Sequence, residues 1–350
     1  MPTYSWLVAQ EELSAAALTV RAQAVSPNDN GRLSWDVFFP RQNVDSTKLN
    51  DLSTLDFRPV ADRREWNARG RLVPFKTPDK KEIEMIPIES RDALAEKEMN
   101  TLAMETRGND AVIQAVMGVR LQDRVERLAQ ANYRRVEVDA FSVWTNGTIT
   151  QKEPESGRAV STSFGIDAGR LQTAGTAWNA AGLNAYDEFI AWLLEGVDEV
   201  GAIDGAMMRR ATYNAILKDA PNLPNTVTMT RAGIEARIAD DTGFGFRFMI
   251  NENSLDVFDD GGTAVTRTKV FPAQKVVLVP AGNRVGNTAF APVVRAMDLV
   301  REAGDAGIDV RGNTVYYEAS NGGRQLDIEC QLNGLPVPNE ALIWGISVGV

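Results

Sequence analysis

The sequence predicts an α+β fold in which a long arm is mounted on one very long helix, and three observations carry that prediction. A charge-rich stretch, about Asp51 to Ile88, alternates polar and apolar side chains and contains Pro59, Pro74 and Pro87. Prolines inside strand-like runs belong on edge strands. Asn109 to Trp144 repeats apolar residues at spacings of three and four, far beyond the usual helix of roughly 11 to 12 residues. The chain then closes in three alternating runs, Thr314 to Tyr317, Gln325 to Leu332 and Ala341 to Val350. An arm that cannot bury itself, carried on a rigid rod, suggests a protein whose partners are copies of itself.

Composition narrows the chemistry. The 350 residues suffice for two or three compact units, and 44% hydrophobic with 24% charged residues is ordinary for a folded protein. No apolar run approaches the roughly 20 residues that span a bilayer, so no membrane contact is expected. Met1 to Gln10 has no basic leader, and Glu11 and Glu12 follow, so no secretion signal is read. The chain has no histidine and one cysteine, Cys330. Ser-His-Asp and Cys-His nucleophiles are thereby excluded, as are the common zinc sites and an internal disulfide. A net charge of −10 disfavours a phosphate-gripping surface.

The elements follow in order. Glu11 to Ala24 has helical spacing, and Pro27 to Gly31 breaks it. Trp35, Phe38 and Phe39, with Val37 among them and Pro40 after them, form an aromatic anchor that either fills a core or docks on a neighbouring subunit. In the arm, Arg63, Arg64, Arg69 and Arg71 cluster around Trp66. That cluster is either a solvated ribbon face or a dock for an acidic surface, which this acidic chain itself supplies. Glu82 to Ile88 alternates as a half-exposed strand, and an isolated two-stranded ribbon is marginal in water. Ser90 is placed to cap a short helix through about Met104. The long helix then shows one stripe, Met117, Leu121, Val125, Leu128, Asn132, Val136 and Ala140, opposite a charged face. It stops at Asn146-Gly147, a left-handed ending. One stripe predicts packing along a sheet.

Strands are expected at Thr148 to Gln151 and Arg158 to Phe164, and 165–184 reads as a crossover. Helices are expected at Tyr186 to Val200, Asp204 to Lys218 and Arg231 to Ala239. Strands follow at Gly245 to Ile250, Ser254 to Phe258, Thr263 to Thr268 and Lys275 to Pro280, with an Asp259 to Gly262 turn. Asp241-Thr242-Gly243 spells an aspartic-protease triplet, but that chemistry needs two carboxylates sharing a proton and no second copy exists. Asp256, Asp259 and Asp260 lack the spacing of a calcium loop. Asn146-Gly147-Thr148 is a glycosylation sequon with no expected reader. No Walker-type phosphate loop is present, and no catalytic residue, metal or cofactor is assigned.

With these elements in place the chain resembles the tailed-bacteriophage major capsid proteins of the HK97-type fold, in their lambda-like (E-type) branch. The resemblance lies in the order of arm, loop (Phe57 to Ile88, with Ala68-Arg69-Gly70-Arg71 near its tip) and spine helix. It extends to the junction Val143 to Thr150 and to the closing segments Arg324 to Glu329, Leu335 to Pro338 and Ile343 to Val348. It implies an N-terminal arm (1–50), an extended loop (51–88), a peripheral domain with the spine helix (89–184), an axial α/β domain (185–310), and C-terminal strands returning to the peripheral domain (311–350). It further implies a non-enzymatic virion protein that forms hexamers and pentamers of an icosahedral shell around double-stranded DNA, without sequence-specific binding, assembled in the host bacterial cytoplasm. Loop and arm residues, Trp35, Phe38, Phe39, Arg63, Arg64, Trp66, Arg69 and Arg71, would contact neighbouring subunits. Some relatives crosslink Lys to Asn, and no such pair is assigned here. Little room for a scaffolding segment before Trp35 suggests a separate scaffold, and a decoration protein is a further expected partner. Two alternatives stay open on sequence: another virion component of the tail or portal, and a carboxylate-only hydrolase of the glycosidase type.

Overall fold

The computed structural model describes residues 14–27, 35–49, 83–105, 109–152, 159–219, 230–258, 265–303, 308–320 and 325–349. The N-terminal elements are α1 (Ala15–Ala24), α2 (Trp35–Phe38), β1 (Arg41–Asn43), β2 (Lys48–Leu49), β3 (Ile83–Glu84), β4 (Ile88–Leu94) and α3 (Glu96–Glu105). Next come α4 (Asp110–Asn146), β5 (Thr148–Lys152), β6 (Ala159–Ser163), β7 (Leu171–Thr173), α5 (Ala185–Val200), β8 (Ile203–Met208), α6 (Arg210–Asp219) and α7 (Arg231–Thr242). The remainder is β9 (Arg247–Ile250), β10 (Ser254–Phe258), β11 (Val265–Lys269), β12 (Lys275–Pro280), β13 (Gly286–Phe290), α8 (Val294–Ala303), β14 (Thr314–Ser320), β15 (Gln325–Leu332), β16 (Gly334–Pro338) and β17 (Gly345–Ser347).

Helix α4 has 37 residues, so it runs about 55 Å at 1.5 Å per residue. Its ends are chemically set. The Asn109 side chain accepts from the Val112 N–H, and Gly147 adopts φ 67° while its N–H donates to the Val143 carbonyl. A Cβ at Gly147 would also press on Ile166 Cδ1 at 3.1 Å, so glycine is needed both for its left-handed backbone and for space. All seven residues of the expected stripe are buried.

The first half of that stripe lies on the three-stranded sheet β14-β15-β4. Met117, Leu121 and Val125 meet Leu94, Val315, Leu326, Ile328 and Cys330. Strand β15 alternates strictly between buried and half-buried positions, as a strand under a helix on one face requires. Helix α1 packs alongside through Leu18 and Ala22. Its Thr19 hydroxyl accepts from the Val315 N–H at 3.0 Å. The polar member of the stripe, Asn132, is paired: its Nδ2 donates to Asn313 Oδ1 (2.9 Å) and to the Cys330 carbonyl (3.1 Å).

Cys330 is fully buried on that sheet, and burial pushes its thiol up to about 12. Both access and thiolate are therefore denied to an alkylating reagent. Iodoacetamide at pH 8 is expected to label the folded chain only as fast as it unfolds, and to label it within minutes in urea. Rapid labelling of the native protein would contradict this packing.

The second half of α4 meets a five-stranded sheet of order β7-β17-β12-β8-β9. Alternate residues of its central strands go to opposite sides. Ala206, Met208, Val276 and Leu278 join the cluster under α5, α6 and α7, whereas Met207, Val277 and Val279 face Phe141 and Trp144 of α4. A sheet covered on both faces gives continuous apolar runs, which is why Val276 to Val279 is uninterrupted. A third sheet, β1-β13-β16, is held in the same cluster by Phe290.

Several sequence expectations need correction. Ser90 does not cap a helix; it lies within β4, paired with Cys330, and its hydroxyl donates to the Leu128 carbonyl at 3.1 Å. The helix begins only at Glu96. Asp204 to Lys218 is not one helix. Residues 203–208 form the interior strand β8 and the helix starts at Arg210, because ladders on both sides and burial outweigh the helix preference of Ala and Met. The 165–184 crossover contains β7, parallel to β17. Within 311–350, β14 and β15 lie under α4, and β17 joins the five-stranded sheet between β7 and β12. Leu335 to Pro338, one of the closing segments of the resemblance, is β16, while β13 and α8 carry no sequence expectation of their own. The Asp259 to Gly262 turn lies outside the described residues, and the strands flanking it, β10 and β11, pair antiparallel.

Candidate assembly surfaces

The arm is anchored by aromatic packing and by two ion pairs. Trp144 of α4 meets Phe38 at 4.9 Å and Phe39 at 6.3 Å between ring centroids, and Trp35 meets Phe290 at 6.4 Å. All three arm rings are at most 3% exposed. Trp35, Phe38 and Phe39 therefore fill the core of their own chain, and Val37, 48% exposed, is the apolar side chain of this segment that faces outward. Beyond them, β1 pairs parallel with β13. Arg41 sits over the Phe290 ring at 4.8 Å and reaches Asp309 at 2.5 Å. Arg311 bonds the Val44 carbonyl and Asp45.

The arm then reaches a clamp. Lys48 pairs with Glu84 and Leu49 with Ile83, antiparallel. Ile83 and Met85 are buried against Val143, Ile149 and Leu335. Leu49 and Ile83, the described residues on either side of 50–82, are therefore neighbours. Arg63, Arg64, Trp66, Arg69 and Arg71 fall between those points and lie outside the described residues.

Two ribbons, β5–β6 and β10–β11, are each paired only within themselves among the described strands. Every residue of β11 is exposed. At the base of that ribbon Glu252 is held by the Arg210 N–H (2.9 Å) and by Lys269 Nζ (2.9 Å). Burial alone would raise its carboxyl, but these bonds and Arg209 outweigh it and hold it below the usual value. A depressed carboxylate stabilises the fold above its ordinary pKa and loses that contribution as pH falls.

The catalytic motifs dissolve into structure. Asp241 sits in the last turn of α7, where it accepts from the Tyr186 hydroxyl (3.1 Å) and faces Arg237 (3.7 Å). Gly243 is the left-handed cap that ends the helix. Burial, then the Asp241 carboxylate, pushes the Tyr186 hydroxyl up to about 12, as a hydrogen-bond donor in a structural pair requires. Asp256 lies in a ribbon opposite Arg267. No cluster of His, Cys, Asp or Glu suited to a metal occurs among the described residues, and no described helix is long and apolar enough to cross a membrane.

Comparison with known proteins gives this architecture a family. The profile described as phage major capsid protein E matches residues 14–345. No curated protein matches the sequence. Among solved structures, the chain is similar to the protein assigned as the capsid protein of a prophage of Escherichia coli CFT073. The TM-score there is 0.58 at 14% identity, over 95% of this chain and 97% of that one. It is also similar to a phage-related protein of Bordetella bronchiseptica RB50, with TM-score 0.47, 12% identity and coverage of 95% and 96%. For the capsid of Myoviridae phage XM1 the values are 0.45, 14%, 94% and 90%. The long helix laid on a sheet, the clamped arm and the five-stranded second sheet make up the HK97-type capsid fold. With a profile match over nearly its whole length, the chain belongs to the phage major capsid protein E family, a structural and non-enzymatic family of the virion.

Proposed function

We propose that this protein self-assembles into hexamers and pentamers that close an icosahedral shell around double-stranded DNA, in the cytoplasm of the host bacterium. The observation that carries the reading is the β2–β3 clamp, taken with the family assignment. It brings the two flanks of residues 50–82 side by side, which supports reading the stretch between them as an overlapping loop. In this reading Arg63, Arg64, Trp66, Arg69 and Arg71 dock on an acidic surface of a neighbouring subunit. The N-terminal arm's own contact with a neighbour falls to Val37, since Trp35, Phe38 and Phe39 are buried inward. The domain division into arm, loop, peripheral, axial and closing segments belongs to the same reading. A scaffold protein and a decoration protein are the further partners. The net charge of −10 suits a container that encloses DNA without gripping it. Many modest, repeated contacts then stabilise the shell without one tight interface.

Electron microscopy of the purified protein, expressed alone and with its genomic neighbours, tests this. Closed shells or ring-shaped capsomers are expected. Deleting residues 63–71 should leave a folded subunit that no longer closes shells. Small monodisperse particles under both conditions, or normal shells without that tip, would sink the reading.

A further inference from the structure

Helix α4 has a second face, opposite its buried stripe. Arg120, Arg127 and Arg134 recur at seven-residue spacing there, which keeps them within about 20° per heptad of one line. Arg127 and Arg134 are exposed and Arg120 is half-buried. No ion pair or hydrogen bond engages their guanidinium groups among the described residues. Asp123 is the exposed acid set among them, while the half-buried Glu126 and Glu137 at the margin are engaged by Arg21 and Asn253. Toward the start of the helix the same side presents Val112 and Val119, 43% and 58% exposed. The arginines span about 21 Å and the valines extend the strip.

A strip of opposite character lies on α5. Its outer face shows Asp187, Glu188, Glu195 and Asp198, all exposed, with no basic residue in the helix. Gln172 reaches Glu195 and Asn184 reaches Asp187, both neutral partners. Leu194, 42% exposed, sits among the acids. From Asp187 to Asp198 this face runs about 17 Å.

We propose that the arginine face of α4 docks on the acidic face of α5 in a second copy of the chain. The inference rests on the self-assembly reading above and supplies one of its interfaces. Sign, length and the mix of charge with apolar side chains all match. Guanidinium forks suit carboxylates bidentately. The exposed valines and leucine argue for a protein partner rather than a polyanion, which would leave them in water. Because the two faces belong to different helices, the contact can repeat head-to-tail from copy to copy, the kind that closes rings. Its electrostatic part weakens with salt.

Charge reversal tests it in the full chain. Arg127→Glu with Arg134→Glu keeps helix-forming residues and is expected to leave the melting temperature within a few degrees of wild type. The assembled fraction, read by sedimentation and electron microscopy, should fall about ten-fold or more, as like charges face each other. Glu195→Arg with Asp198→Arg should do the same, while cations near a helix C-terminus favour its folding. A chain carrying all four substitutions should recover most of the wild-type assembly. If reversal unfolds the chain, Arg127→Gln with Arg134→Gln is measured instead, with loss in the same direction. Normal shells from either reversed pair overturn the proposal, as do shells that form normally but hold less DNA. A folded four-substitution chain that stays unassembled overturns it too. Wild-type protein that never assembles would overturn the self-assembly reading instead.

Discussion

Trp144→Ala is expected to destabilise the unassembled subunit by about 3–5 kcal/mol, the range for a fully buried large aromatic cut to a methyl. Trp144 is 0% exposed and stands where the arm, the long helix and the second sheet meet. Phe38, Phe39 and Phe141 all have ring centroids within 6.3 Å of it. Its Nε1 has no hydrogen-bond partner among the described residues, so the loss is packing alone. A cavity there cannot collapse, because three elements hold its walls. Natural domains have only about 5–15 kcal/mol to lose, so poor solubility is expected alongside a lowered urea midpoint. Trp144→Phe keeps one ring and should cost clearly less. A midpoint shift equivalent to under about 1 kcal/mol for the alanine variant would show that the arm is not anchored at this residue.

Gly205→Ala is the second large effect, and its cause is backbone rather than cavity. Gly205 lies in the interior strand β8, opposite Arg247 of β9. An added Cβ would stand 1.9 Å from the Arg247 carbonyl oxygen and 2.9 Å from its carbon. Neither atom belongs to a flexible side-chain end. The methyl must push β9 away, breaking the ladder from Gly205 to Met208 and shifting Phe248, which is buried against Phe189 and Tyr213. A cost at or above the ~3 kcal/mol upper end of ordinary overpacking is expected. Gly245→Ala is the control: nothing lies within 4 Å of its added Cβ, so its effect should stay within about 0.5 kcal/mol. Thermal melts of the two variants side by side settle the matter. Equal, small shifts would mean that β8 and β9 do not approach as closely as described.

The elements legible in the sequence are those whose cause is local. Helix α4 announces both ends, through the Asn109 cap and the Gly147 left-handed stop, and one apolar stripe fixes its buried face. Strand β12 shows a bare apolar run. The misread elements depend on partners remote in sequence. Residues 203–208 contain Gly, Ala and two Met, which favour no strand by themselves, and only the ladders to β12 and β9 make them one. Strand β4, with Ser90, Arg91 and Asp92, exists because β15 lies beside it. Strand β7 is three residues long and has β17 as its sheet neighbour. Of the candidate site, the aromatic anchor was visible as a cluster, but which way its rings point depends on Trp144 and Phe290, more than 100 residues away. The charged face of α4 is legible in the sequence; that Arg120, Arg127 and Arg134 have no partner among the described residues depends on the fold.

The position of β17 has a consequence for the order in which the chain is made. Residues 345–347 are inserted between β7 and β12 in the middle of the second sheet. Strand β1 likewise waits for β13, and Thr19 of α1 waits for Val315. A ribosome must therefore have passed Ser347 before the sheet can close, and the N-terminal third is held by pieces translated long after it. Such non-local pairing folds slowly. It also means that a chain terminated early has an open second sheet rather than a smaller complete subunit, with the β12 edge that β17 would cover left without its neighbour.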